Sequence, residues 1–151
     1  MRLMLDTNVA LDFMLAREPY CAETNKLMLL GYLKEIELWL NGAQVNDLIY
    51  VLTKGGKPAK NEAAKLSLKK LRKCLHVFHP GEREFDAALD STWPDLEDAL
   101  LFQAALNLKA DFIISRNQKD FALSSIRTLD VAEFFEHIEE HEGPIYELID
   151  F

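Results

Sequence analysis

Four short apolar runs set the terms for this chain: Leu3-Met4-Leu5, Leu38-Trp39-Leu40, Leu75-His76-Val77-Phe78 and Phe112-Ile113-Ile114. Each is too short for a helix and has the make-up of a strand. Between them lie longer stretches whose apolar residues recur every three to four positions, the spacing of one helix face. Strands separated by helices in this rhythm need crossover connections, which join parallel neighbours. The pattern predicts an α/β fold, a three-layer α/β/α sandwich around a mainly parallel central sheet.

The helices can be placed from their stripes. Residues 7–16 carry Val9, Phe13 and Ala16 on one side, widened by Leu11 and Met14, before Arg17-Glu18-Pro19 breaks the pattern. Residues 20–33 form a second helix, with Gly31 as its terminator. Asn41-Gly42 reads as a turn, and Val45, Leu48, Ile49 and Leu52 then give a third apolar face, with the polar Asp47 beside it. Ala64, Leu68 and Leu71 mark a fourth helix that leaves its lysines outside. Helices at 82–89, through 99–106 and at 130–140 complete the set. The whole, 1–151, reads as one domain with 144–151 as a tail.

A net charge of −8 argues against a nucleic-acid partner until its distribution is considered. Residues 54–73 hold eight Lys and Arg against Glu62 alone, a local +7, whereas residues 130–151 hold eight acids and no Lys or Arg. A basic surface on an acidic body is the result. Lys65, Lys69, Lys70 and Lys73 are the candidate contacts for an RNA backbone or for the acidic element of a partner. The longest apolar run is far too short to span a bilayer, so no membrane is expected and the cytoplasm is the expected compartment. Cys21 and Cys74 lack a CxxC spacing and read as reduced thiols.

The acids carry the chemistry. Asp6 ends the first apolar run, Asp47 lies in the helix after the second, Asp98 opens a helix, and Asn117 and Asp120 follow the last run. In a parallel sheet, sites distant in sequence converge at the edge formed by the strands' carboxyl ends. Several carboxylates gathered there cannot all stay ionised without a cation, and Mg²⁺ or Mn²⁺ prefers such oxygen ligands. A cation held in this way activates water against a phosphodiester. Asp95 and Asp98 also suit the first turn of a helix, and Asp95 and Asp12 are read as structural.

In their order and spacing, Leu5-Asp6-Thr7-Asn8-Val9, Asn46-Asp47-Leu48, Asp95-Leu96-Glu97-Asp98-Ala99-Leu100 with Ala104-Ala105-Leu106, and Ile114-Ser115-Arg116-Asn117-Gln118-Lys119-Asp120-Phe121 resemble the motifs of the PIN domain family. The resemblance runs through nearly the whole chain. It implies a metal-dependent ribonuclease and, among small single-domain members, a VapC-like toxin held by an antitoxin protein. By resemblance Asp6, Asp47 and Asp98 are the first three metal-site acids, Asn117 and Asp120 fall in the motif that supplies the fourth, and Asn8 and Ser115 arrange the site. The chain departs from the family in having Asp47 where Glu is usual and Asn117 where many members have Asp. These departures motivate the alternative of a catalytically silent module that binds RNA or protein.

Other signals point less far. His137-Ile138-Glu139-Glu140-His141 fits an H-x-x-E-H string, but too little chain follows to supply a further zinc ligand, so it reads as a solvated acidic face. Asn8 stands where a haloacid-dehalogenase pattern needs a second Asp. The apolar and acidic residues of the tail either pack back on the domain or dock on a second copy, and a homodimer is expected.

Overall fold

The computed structural model describes residues 1–142. The tail lies outside the described residues. Five strands, β1 (Arg2–Leu5), β2 (Glu37–Asn41), β3 (His76–Phe78), β4 (Phe112–Ile114) and β5 (Thr128–Leu129), form one sheet in the order β3-β2-β1-β4-β5. Every pairing is parallel, with Leu5 opposite both Leu40 and Ile114. The chain starts at the centre, builds outward through β2 and β3, then returns to the other side of β1 for β4 and β5.

Strand alternation sorts side chains to two faces. Leu3, Leu5, Leu38, Leu40, Ile114 and Leu129 enter a core with α1 (Thr7–Met14), α2 (Cys21–Tyr32), α3 (Val45–Leu52), α4 (Asn61–Cys74) and α7 (Val131–Glu142). Met4 and Ile113 turn the other way, onto Leu101, Phe102, Ala104, Ala105 and Leu108 of α6 (Leu96–Leu108). α5 (Glu82–Leu89) packs against α6. Each leucine fully buried between these layers contributes about 1.5–3 kcal/mol relative to exposure. Among the described residues no helix is long and apolar enough to cross a membrane.

Two local expectations change and one is sharpened. The turn at Asn41-Gly42 takes a definite form: Asn41 ends β2, and its Oδ1 accepts from the Ala43 amide at 3.2 Å to open a 3₁₀ turn into α3. Gly31 does not terminate α2, which continues through Tyr32. Its lack of a side chain matters instead, because a Cβ there would collide with the Cys74 carbonyl and with Leu38. Ile49 is 40% exposed rather than inward. The buried seam of α3 narrows to Leu48, and Ile49, Tyr50 and Val51 stay at the surface.

Candidate metal centre

Because all five strands are parallel, their carboxyl ends share one edge, and β1 and β4 meet where the strand order reverses direction. Ligand sites of open α/β sheets form at such a switch point. Asp6 follows β1 directly and Ser115 follows β4 directly, so the pairing of Leu5 with Ile114 sets them side by side. The Asp6 amide donates to the Ile114 carbonyl at 2.9 Å and closes the approach.

Asp6 caps α1: Oδ1 accepts from the Thr7 amide at 2.7 Å. Oδ2 accepts from Ser115 Oγ at 2.7 Å and from Asn8 Nδ2 at 3.1 Å. Ser115 Oγ accepts in turn from the Asn117 amide at 3.0 Å and from Asn8 Nδ2 at 3.3 Å, and Asn8 Oδ1 accepts from the Arg116 amide at 3.4 Å. Burial pushes the Asp6 carboxyl above its ordinary value. The hydrogen bonds from Ser115 and Thr7 oppose the rise, Asp120 adds to it, and Arg116 relieves part of it.

Asp98 stands in the first turn of α6, where its amide donates to Asp95 Oδ1 at 3.1 Å. Asp95 therefore holds the capping role expected of it. The Asp98 carboxyl is pushed up to about 7 by burial and then by the charges of Asp95, Asp6, Asp120 and Glu97. Glu97 is raised as well, by burial, by Asp47 and Asp95, and by a hydrogen bond shared with Asp47. Asp6, Asp98 and Asp120 thus lie in one field, and Asp47, exposed on α3, joins it through Glu97.

Asn117 and Asp120 divide the last motif between them. Asn117 supplies its amide to Ser115, whereas Asp120, in the 3₁₀ turn Gln118–Phe121, acts by charge on both Asp6 and Asp98. The four lysines do not join the group. α4 feeds β3 directly, so its carboxyl end, with Lys69, Lys70 and Lys73, lies toward the sheet edge opposite Asp6. Lys65, nearer the start of α4, pairs with Glu62 at 3.0 Å.

Two roles go unassigned in the sequence. Glu97 stands in a quoted motif without a role of its own, although Asp95-Leu96-Glu97-Asp98 places three acids in one helical turn. Asp12, an acid within an apolar helical stretch, signals a buried charge in need of a partner. It is 1% exposed and meets Arg116 Nε at 2.8 Å, with Arg17 at 3.9 Å. The Arg116 guanidinium also lies 4.3 Å from the centre of the Tyr20 ring, which holds the loop after β4 from both sides.

As donors the carboxylates suit a hard divalent cation, and their mutual repulsion is what such an ion relieves. Among the described residues no three His, Cys, Asp or Glu side chains already stand at ligand spacing, so binding requires the carboxylates to turn toward a common point.

The sequence matches the PIN domain over residues 2–119, more than half of the chain. The chain belongs to the PIN domain family. The matched stretch of this PIN domain contains Asp6, Asp47, Asp98 and Asn117 and stops one residue short of Asp120. No curated protein matches it. Among solved structures, a chain of VapBC2 from Rickettsia felis, bound to a DNA fragment from their promoter, is similar with a TM-score of 0.64 and 18% identity over 86% of this chain and 98% of that one. At that identity the likeness speaks for the fold.

Proposed function

We propose that this PIN domain is a metal-dependent endoribonuclease that hydrolyses RNA phosphodiester bonds with Mg²⁺ or Mn²⁺, and that it is the toxin of a toxin–antitoxin pair. One observation carries the reading: at the switch point of the sheet, Asp98 is pushed up to about 7 by burial and by the surrounding carboxylates, Asp6 and Asp120 among them. Asp6, Asp98 and Asp120 would hold the cation, with Asp47 and Glu97 beside them. When bound, it supplies an activated water and takes up charge from the phosphodiester.

The chain's own groups prepare that site. Thr7, Ser115 and Asn8 donate to both oxygens of Asp6 and fix its carboxylate plane. Asn117 orients Ser115, and the Asp12–Arg116 pair holds the loop that bears Asp120. Lys65, Lys69, Lys70 and Lys73 would take RNA phosphates along α4, at a distance from the acids. Membership of the PIN family supports the nuclease reading, and likeness to VapBC2 supports an antitoxin partner.

The test is cleavage of single-stranded RNA by purified protein supplied with Mn²⁺ or Mg²⁺. The wild type cuts, and Asp98→Asn does not. A binding module without turnover is the second reading, favoured by Asp47 and Asn117 standing where the family usually has Glu and often has Asp. RNA retained but uncut by folded wild type in either metal decides for it.

A further inference from the structure

Beside Asp6 on the carboxyl edge of the sheet, a buried residue has a donor to spare. Leu40 pairs with Leu5, so the residues that follow them, Asn41 and Asp6, stand side by side on strands about 4.8 Å apart. Asn41 is 1% exposed, yet its Nδ2 has no hydrogen-bond partner. Gln44 Oε1, buried in the turn that Asn41 caps, is unpaired as well, so the two do not serve each other. Buried polar groups are nearly always paired, and an orphan of this kind points to a partner that arrives in another state of the site.

The spare donor has a defined direction. Oδ1 of Asn41 accepts from the Ala43 amide, which identifies the other arm of the carboxamide as nitrogen and turns it away from that amide. Leu38 and Leu40 enter the core on one face of the sheet, so alternation puts Asn41, with Trp39, on the face that Met4 shares with α6. Neighbouring strands close its flanks. Asp6 stands on one side; on the other, Phe78 pairs with Asn41, and His79 lies so near Gly42 that a Cβ there would stand 2.6 Å from Nδ1.

The acids at this edge differ in what they still need. Both oxygens of Asp6 are already held, by Thr7, Ser115 and Asn8, and Glu97 shares a hydrogen bond with Asp47. Asp98, at the start of α6 and in the field of Asp6, is acted on by burial and by like charges, with no donor among these influences. A donor without an acceptor and a carboxylate without a donor thus meet at one edge, on one face of the sheet.

We propose that Asn41 is a positioning residue of the metal centre, its Nδ2 donating to the Asp98 carboxylate when that group turns toward the cation, an inference that rests on the metal-dependent reading above. The bond fixes which oxygen of Asp98 faces the ion, as Ser115 and Asn8 do for Asp6. A neutral amide does so without adding a positive charge that competes with the cation.

The test is Mn²⁺ and Mg²⁺ binding to the full chain, read by titration calorimetry for wild type and Asn41→Ser. Serine keeps an oxygen to cap the 3₁₀ turn but is too short to carry the donor to α6, so the variant is expected to fold and to bind Mn²⁺ about tenfold more weakly. The second measurement needs no variant at residue 41. In ¹⁵N spectra the side-chain amide protons of Asn41 are expected to move downfield when Mg²⁺ is added to the wild type, and not to move in Asp98→Ala. Equal affinity in wild type and Asn41→Ser overturns the inference and leaves the metal centre standing. So does an Asn41 amide that stays unmoved in Mg²⁺-bound wild type, or one that shifts equally in Asp98→Ala. A wild type that binds neither metal removes the metal centre itself, and this inference with it.

Discussion

Ser115 Oγ donates a 2.7 Å hydrogen bond to Oδ2 of Asp6, joining the ends of the two strands at which the sheet reverses its order. Ser115 is fully buried, so the bond is made out of reach of water. It is also the strongest influence that holds the Asp6 carboxyl down against its burial.

Ser115→Ala therefore acts twice. It leaves a buried carboxylate oxygen with one donor fewer, at about 1–3 kcal/mol, and it raises the Asp6 pKa further. Urea denaturation reads the first effect. Metal titration reads the second, with affinity expected to fall about 10–100-fold because an orienting partner is lost.

The Asp12–Arg116 pair is a test of the loop rather than of the acids. Asp12→Ala is expected to cost about 3 kcal/mol, the low end for a broken buried pair, because the Arg116 side chain keeps 28% of its surface in water. Replacing both partners with Leu and Met recovers most of the loss, since an apolar pair leaves no charge unmatched. Thermal melts of the single and double variants measure both.

Asp98 gives the protein without metal a pH dependence of known sign. Its folded-state value, about 7, lies above the ordinary 3.8, so the folded state holds the proton more tightly than the unfolded state does. The stabilisation is complete below the ordinary value and is lost as pH rises from about 4 to about 7. Melting temperatures in chelator should fall across that window, and Asp98→Asn should flatten the profile and be more stable than wild type at pH 8. Mg²⁺ competes with the same proton, so its binding weakens below about pH 7.

Much of this was legible beforehand. Short apolar runs that stop at Asp6 and Ser115 announce strand ends, and a parallel sheet brings strand ends together. Glu97 was hidden because every acid in a first helical turn has a sufficient local reason to be there. Its link to Asp47 joins two helices that no periodicity connects. Ile49 shows another limit: spacing gives the direction of an apolar face but not the width of the neighbour that covers it. The lysines of α4 show a third, since their distance from the acids follows from the direction in which α4 meets β3.

The central claim is that Asp6 anchors a metal-dependent nuclease site. It is tested most directly by the rate of single-stranded RNA cleavage for wild type and Asp6→Asn, side by side, in Mn²⁺ and in excess chelator. Cleavage by the wild type in Mn²⁺, abolished both by chelator and by the substitution in a protein that still folds, is the predicted result. Cleavage that persists in Asp6→Asn, or in chelator, contradicts the account.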